Sequence, residues 1–390
     1  MKYDDFLSHR VKRIKPSGIR KFFDAAAMTS GVISLGVGEP DFVTPWHVRN
    51  AAVKALTNGR TSYTGNSGLP ELRQAVCKYL AGGFGLNYDY ASQVIITVGG
   101  SEGIDITLRA ILNAGDEVLT PEPSYVAYAP LIELAGGVAV PVKCTAKEQF
   151  KLTAQAVEQC ITPRTKALIF AYPNNPTGAV MTGKELEPLA KVIKKHNLLA
   201  LSDEIYAELT YGFKHTSIAS LPGMAQRTIL ISGFSKAFAM TGWRLGYICA
   251  PKELAAAMLK IHQYAMLCAP TLSQYAALEA LKSGLEYGFL DIEEMRAEYD
   301  KRRKFIVKCL NEMGLLCFEP KGAFYAFPNV LKKTGMDGET FAGLLLKRQK
   351  VAVVPGSAFG ESCKGHVRIS YAQSMQKLEE AMLRISKTMQ

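Results

Sequence analysis

The 390-residue chain has no CxxC pair, no low-complexity tract and no run of eighteen or more uncharged apolar residues. The missing apolar run excludes an ordinary membrane-spanning helix. The eight cysteines are scattered, which argues against a disulfide framework or a zinc site, so we predict buried thiols and no bound metal. The N-terminus carries charges where a signal peptide needs its apolar stretch, so we expect a cytoplasmic protein without a membrane partner.

The formal net charge of +11 raises the question of nucleic-acid binding. Apart from a cluster in the first twenty-one residues, the basic excess is spread along the chain. Dispersed charge is typical of a solvated basic surface and not of a nucleic-acid patch. We therefore expect no nucleic-acid partner, and a positive field that helps to collect anionic small substrates.

The hydrophobic pattern predicts an α/β protein of two domains, since 390 residues exceed the usual size of one core. From about residue 94, short β-branched runs alternate with helix-like segments, which is typical of a mostly parallel sheet with helices on both faces. After about residue 283, a long charged helix pattern and short strands predict a smaller α+β domain. We assign 45–285 to the large domain, and 1–44 with 286–390 to an N-terminal arm and a discontinuous small domain.

A lysine follows a strand-like run in SGFSKAFAMTGWRLG, at Lys236, with Arg244 eight residues later. A lysine in a desolvated or cation-flanked site has a lowered pKa and can form a Schiff base, and an arginine can bind an anion beside it. An isolated lysine is usually a solvated surface residue. The neighbouring motifs must therefore decide between the two interpretations.

A carboxylate, Asp203, ends the apolar run LLALSD, and Tyr206 follows three residues later. Ligands of open α/β sheets bind beyond the carboxyl ends of the strands, where an acid could meet a cationic ring nitrogen. A helix N-cap explains the aspartate equally well, because Glu204 also suits a helix start.

Two further strand ends carry turn residues, in AYPNNPTGAV (171–180) and TVGGSEGID (97–105). The second is strand, Gly-Gly, helix, which would direct backbone N–H groups at a phosphate. Its glycines, at 99, 100 and 103, do not form the dinucleotide pattern GxGxxG. Each segment alone is also compatible with an ordinary turn.

In chain order the motifs are GGSEG, PSY, NNPTG, SDEIY, SKxxxxxGWRLG and HVRIS. Together they resemble the class I and II aminotransferases of fold type I, which use pyridoxal 5′-phosphate (PLP), and in particular the branch of bacterial aspartate, aromatic and N-acetyl-diaminopimelate aminotransferases. The resemblance runs from ISLGVGEPDF (33–42) to the last helix. It implies transfer of an α-amino group from an aspartate- or aromatic-type amino acid to a 2-oxo acid such as 2-oxoglutarate.

Three alternatives accompany this interpretation. The chain could be an N-acetyl-diaminopimelate aminotransferase, or a PLP cysteine-S-conjugate β-lyase that uses the same lysine and arginine to eliminate a leaving group. A PLP-sensing transcription regulator would need a helix-turn-helix domain ahead of the aminotransferase-like part. Barely thirty residues precede ISLGVGEPDF, too few for such a domain.

The resemblance also implies roles for individual residues around the cofactor ring. Lys236 would form the Schiff base and move the substrate proton, and Asp203 would keep the pyridine nitrogen protonated. Tyr206 and Asn175 would bind the ring hydroxyl, and Tyr125 would stack on the ring. The catalytic set is thus Lys236, Asp203 and Tyr206.

The phosphate group would be held by three backbone N–H groups and two side chains. These are the N–H groups of Gly100, Ser101 and Glu102, and the side chains of Ser235 and Arg244. Tyr63 would reach the phosphate of a neighbouring subunit, which implies a homodimer with shared active sites. Many relatives have serine three residues before the lysine, where this chain has Gly233, so a phosphate contact by Ser232 stays open.

For substrate, the resemblance implies that Arg368 grips the α-carboxylate, beside Asn175 and the backbone of Gly38. Arg109, on the helix after the phosphate-binding turn, could meet an acidic side chain or serve only as a structural helix residue. Cis peptides are implied before Pro123 and Pro176. The identity of the amino-acid donor is not determined by the sequence.

Overall fold

The computed structural model describes residues 1–14 and 28–389. Within these residues there are twelve strands: β1 (Ile33–Ser34), β2 (Val94–Thr97), β3 (Glu117–Glu122), β4 (Val138–Lys143), β5 (Thr165–Ala171), β6 (Leu199–Asp203), β7 (Thr228–Gly233), β8 (Gly246–Cys249), β9 (Tyr325–Ala326), β10 (Val351–Ala352), β11 (Val354–Pro355) and β12 (Val367–Ser370).

The α-helices of the described residues are distributed along the whole chain. They are His9–Arg13, Trp46–Thr57, Pro70–Phe84, Gly99–Ile111, Tyr128–Leu134, Ala154–Cys160, Gly183–Lys195, Lys252–Ala265, Thr271–Tyr287, Leu290–Glu312, Leu331–Thr334, Gly338–Leu344 and Met375–Ser386. The helix Gly183–Lys195 begins with a capping box, in which the Glu185 carboxylate accepts the backbone N–H of Thr182 at 2.8 Å.

Seven strands form one central sheet in the order β2-β8-β7-β6-β5-β3-β4. Only β8 runs against its neighbours, so the other six strands share one direction. The carboxyl ends of β5, β6 and β7 therefore lie at one edge of the sheet, which is where parallel α/β sheets bind ligands. The predicted mostly parallel sheet is confirmed.

Helices cover both faces of this sheet, because successive strand residues enter different apolar clusters. In β7, Ile229 and Ile231 pack with the helices Gly99–Ile111 and Lys252–Ala265, whereas Leu230 packs with Pro70–Phe84 and Thr271–Tyr287 on the opposite face. This period-two division explains why the central strands are apolar throughout and not alternating.

A separate apolar cluster, the terminal cluster, is built mainly from the two ends of the chain. It joins β1 and the helix Leu290–Glu312 to β9–β12 and the C-terminal helix. β1 pairs in parallel with β10, and β12 lies between β9 and β11 in an antiparallel sheet. Tyr206 and Leu209, from the segment after β6, also enter this cluster, so β1 and the last hundred residues pack beside the edge of the central sheet.

Three further sequence predictions concern the cysteines, membrane-spanning helices and the basic N-terminal cluster. All eight cysteines are free, and four of them are buried. None of the helices in the described part of the chain combines the length and apolar character needed to cross a membrane. Part of the basic N-terminal cluster, Lys15, Arg20 and Lys21, lies outside the described residues.

Candidate active site

A cavity of about 860 Å³ opens at the carboxyl edge of the central sheet, between this edge and the terminal cluster. The N-terminus of the helix Gly99–Ile111 and the turns after β5, β6 and β7 form one side, and the segment 37–39 with β12 forms the other. Among the polar residues that face it are Glu39, Ser101, Tyr125, Tyr128, Asn175, Asp203, Tyr206, Ser235, Lys236, Arg244, Tyr325 and Arg368.

Lys236 follows β7 and projects into the cavity, where its Nζ donates to the carbonyl oxygen of Gly38 at 2.6 Å. Burial is the main cause that lowers the pKa of this amine, to about 8, although the Glu39 carboxylate opposes the shift. Two cations, Arg368 and Arg244, lower it further. A substantial neutral fraction of the amine is therefore present near neutral pH, as a nucleophile requires.

Asp203 is the last residue of β6, and only 7% of its surface is exposed. Burial raises the pKa of this carboxyl to about 6, while a hydrogen bond from the Tyr128 hydroxyl at 2.7 Å and one from the backbone of Ile205 act in the opposite direction. The carboxylate is thus costly in isolation and would be stabilised by a cation in the cavity.

Two buried tyrosines and an arginine form the wall opposite Asp203. The hydroxyl groups of Tyr206 and Tyr325 lie 2.8 Å apart, and the Arg368 guanidinium stacks 4.6 Å from the Tyr325 ring centroid. Arg368 donates to Asn175 Oδ1 at 2.8 Å and to the carbonyl oxygen of Gly36. Its buried Nε has no partner, so this cation can still receive an anionic ligand.

The turn between β2 and the helix Gly99–Ile111 brings backbone N–H groups to the cavity. Gly99 has φ +75°, and a Cβ on it would lie 2.7 Å from Arg244 Nη2. Gly246 in β8 also has no room for a side chain, since a Cβ there would lie 2.7 Å from the backbone nitrogen of Gly100. These two glycines allow the helix terminus, β8 and the arginine to approach closely.

A guanidinium beside a helix N-terminus places two positive ends together. An anion between them would stabilise both, and Ser235, which also lines the cavity, supplies a further hydroxyl. The arrangement therefore suits a ligand with a phosphate at this turn, a cationic ring atom near Asp203 and a carbonyl carbon near Lys236. These are the groups that PLP carries, so the residues fit the cofactor implied by the sequence.

Three residues considered from the sequence do not line this cavity with their side chains. Tyr63 is 81% exposed and lies outside the cavity. The Glu102 carboxylate accepts the backbone N–H of Val98 and does not line the cavity. The Ser232 hydroxyl donates to the carbonyl oxygen of Glu204 at 3.2 Å and is likewise absent from the cavity wall.

The glycine that departs from the family pattern has a steric reason. A Cβ on Gly233 would lie 2.7 Å from the Cα of Gly246, so the backbone here has no space for a serine.

Arg109 pairs with Asp105 on its own helix at 3.0 Å and is 53% exposed. The peptides before Pro123 and Pro176 are cis, as expected, and the peptide before Pro173 is cis as well.

Sequence reasoning missed three side chains of the cavity. Tyr128 lies three residues after Tyr125 in SYVAY, Tyr325 belongs to the strand-like run AFYAF, and Glu39 belongs to GEPDF. A tyrosine in an apolar run is usually a core residue, so only the pairing of Tyr128 with Asp203 reveals its position in the site.

Comparisons with known proteins agree with this geometry. Residues 30–385 match the family described as aminotransferase class I and II. The chain is 55% identical to the putative aminotransferase YugH of Bacillus subtilis and 47% identical to an aspartate aminotransferase of Pyrococcus abyssi; each alignment covers 98% of both chains. The crystal structure of an aromatic aminotransferase from Pyrococcus horikoshii superposes with a TM-score of 0.90 at 46% identity, over 94% of this chain and 98% of that one.

Proposed function

The chain belongs to the class I and II aminotransferases and is a transaminase, and from this premise we propose that it uses PLP to move an α-amino group from an aspartate- or aromatic-type amino acid to a 2-oxo acid such as 2-oxoglutarate. The observation that supports this most directly is the convergence of Lys236, Asp203 and Arg368 on one cavity. The amine of Lys236, with its lowered pKa, suits Schiff-base formation, and the buried acid Asp203 suits a protonated ring nitrogen. The buried cation Arg368, with a free donor, suits the substrate carboxylate.

In this proposal each end of the cofactor has its own residues. The N–H groups of Gly100, Ser101 and Glu102, with Ser235, Arg244 and Tyr63 of the partner subunit, hold the phosphate; Tyr125 packs on the ring; Asn175 and Tyr206 bind the ring hydroxyl; Asp203 holds the proton of the ring nitrogen. When bound, PLP supplies an aldehyde that condenses with amines and a ring that accepts the electron pair of the Cα–H bond.

The protein's own contribution is to orient the substrate and to move one proton. Arg368, next to Asn175 and the backbone of Gly38, clamps the α-carboxylate and so fixes the direction of the Cα–H bond. Lys236 Nζ would take the proton from the substrate Cα and deliver it to C4′, the aldehyde-derived carbon of PLP, a transfer for which a pKa of about 8 is well suited. Asp203, Tyr206 and Lys236 are the catalytic residues of the proposal.

The test uses the purified holoenzyme and a panel that contains aspartate, glutamate, aromatic amino acids and N-acetyl-diaminopimelate, with 2-oxoglutarate as acceptor. Aspartate or an aromatic amino acid alone should convert bound PLP to its amine form, seen as a change in absorbance, and the acceptor should restore it. Release of ammonia and pyruvate from a cysteine conjugate, without this cycle, would indicate a β-lyase instead.

The control is Lys236→Ala, which should fold, bind PLP without a covalent bond and show no turnover. A Lys236→Ala protein that still carries covalent PLP would show that another lysine is the nucleophile.

A further inference from the structure

We propose that His262 is a positioning residue for the phosphate-binding turn, residues 98–102, and that it acts through the carboxylate of Glu102. The inference rests on the proposed function, because it takes the anion held at this turn to be the phosphate of PLP. It assigns a role to two buried polar groups that lie behind the cavity and do not line it.

The Glu102 side chain sits in the first turn of the helix Gly99–Ile111 with 5% of its surface exposed. Oε2 accepts the backbone N–H of Val98, the residue that precedes the helix, at 2.5 Å. This bond spans the tight turn at Gly99, whose φ is +75°. Glu102 therefore fixes the turn whose next residues, Gly100 and Ser101, line the cavity.

A carboxylate at this position also carries a problem. Its charge is favourable at the positive end of a helix, but the same end must receive the negative phosphate. An acid that turned toward the cavity would compete with the phosphate and repel it. The acid is compatible with the proposed ligand only while its carboxylate is held on the far side of the helix terminus.

His262 supplies the partner on that far side. Its Nδ1 lies 2.5 Å from Glu102 Oε1, and its side chain is fully buried. The backbone around the ring is ordered by hydrogen bonds from the N–H groups of Met266 and Leu267 to the His262 carbonyl. With the carboxylate as acceptor, Nδ1 carries the proton, and the buried Nε2 is left without a partner.

Because Nε2 has no partner, we infer that the role of the buried ring is the hydrogen bond from its Nδ1 to Glu102. Burying a nitrogen without a partner is unfavourable, and a residue used only for packing would avoid this cost. The helix Lys252–Ala265 thus supports the phosphate-binding turn from behind, through a single bond from His262 to Glu102.

The experiment compares apoenzyme binding of PLP with that of pyridoxal, which has the same ring and aldehyde but no phosphate. His262→Leu leaves Glu102 Oε1 buried without its partner, so PLP affinity should fall roughly ten- to hundredfold, while pyridoxal affinity changes less than about twofold. His262→Asn places an amide nitrogen near the position of Nδ1 and should restore most of the PLP preference.

Two further variants separate positioning from packing. Met258→Ala removes a buried side chain of the His262 helix whose sulfur accepts the Thr107 hydroxyl at 3.1 Å, and it should leave the ratio of the two affinities unchanged. Glu102→Gln combined with His262→Leu should bind PLP more tightly than His262→Leu alone, because no unpaired charge remains.

An unchanged ratio in His262→Leu, or an equal loss in Met258→Ala, would overturn the inference. If His262→Leu does not fold, the same decision comes from Glu102→Gln and His262→Asn: the inference requires the affinity ratio to change in Glu102→Gln and to be near wild type in His262→Asn. A wild-type apoenzyme that binds neither PLP nor pyridoxal would instead contradict the proposed function.

Discussion

At the scale of single residues, the buried carboxyl of Asp203 lowers the stability of the cofactor-free protein. Burial raises its pKa from the ordinary 3.8 to about 6. The folded protein therefore retains a proton between these values that the unfolded chain releases, and above pH 6 it contains a buried carboxylate. This unfavourable state is relieved when a cation binds beside the acid.

Asp203→Asn should therefore stabilise the apoenzyme at pH 8, by up to about 3 kcal/mol for a shift of about two pKa units. The gain should shrink as the pH falls through 6 and be nearly absent at pH 4, since the wild-type carboxyl is then protonated as well. Urea unfolding at both pH values measures it, with the exposed Asp5→Asn as control. An equal effect at both pH values would contradict the assigned pKa.

The pKa of Lys236 is shifted downward, opposite to that of Asp203, and it yields a second prediction. Because burial lowers the pKa of its amine to about 8, the rate of covalent PLP attachment to the apoenzyme should rise with pH around a midpoint near 8. Borohydride trapping at timed intervals, read by mass spectrometry, measures the rate. Glu39→Gln should move the midpoint down, because the Glu39 carboxylate raises the pKa of this amine. A midpoint near the ordinary 10.5 would show that the amine is not desolvated.

At the scale of elements, the helix Gly99–Ile111 has ends with different tasks. Its first turn faces the cavity, whereas Arg109, in its last turn, pairs with Asp105 at the surface. An exposed ion pair four residues apart contributes little to stability, and neither Arg109 nor Asp105 lines the cavity.

Arg109→Ala should change the free energy of unfolding by about 0.5 kcal/mol or less. The ratio of kcat/KM for aspartate to kcat/KM for an aromatic amino acid should stay the same, because the arginine serves no dicarboxylic substrate. Arg368→Ala is the comparison variant and should impair every amino acid. A selective loss for aspartate in Arg109→Ala would assign the arginine to the substrate side chain after all.

At the scale of the whole molecule, we propose a large domain of residues 45–285 and a small discontinuous domain of 1–44 and 286–390, with the cavity between them. We also propose a homodimer whose sites are shared through Tyr63. The surface around Tyr63 is consistent with an interface: the hydrogen bond from Asn66 to the Leu267 carbonyl joins its segment to one that exposes Tyr264 and Met266.

A hybrid dimer tests the shared site. If one chain carries Lys236→Ala and the other Tyr63→Ala, the only site that retains Lys236 receives its tyrosine from the Lys236→Ala chain. Its covalent PLP should then be retained as tightly as in the wild type, and more tightly than in a Tyr63→Ala homodimer. Equal weakening in the hybrid and the homodimer would place Tyr63 in its own subunit's site, and no weakening in either would place it in no site.

The sequence by itself determined the α/β class, the order of the strands along the chain and most of the cavity residues. The strands are continuous apolar runs because the sheet is covered on both faces, and Lys236, Asp203 and Asn175 each directly follow or end a strand. Parallel strands bring such ends to one edge, so the position along the chain already predicts the site.

The partners of these residues were decided only by the tertiary structure. Tyr128 meets Asp203 across 75 residues, His262 meets Glu102 across 160, and Arg368 meets Gly36 across 332. No local pattern encodes such contacts, because they depend on how the helices and the terminal cluster pack on the sheet edge. The pairing of β7 with β8 leaves Gly233 no room for a side chain, and the Ser232 hydroxyl donates to the Glu204 carbonyl away from the cavity wall.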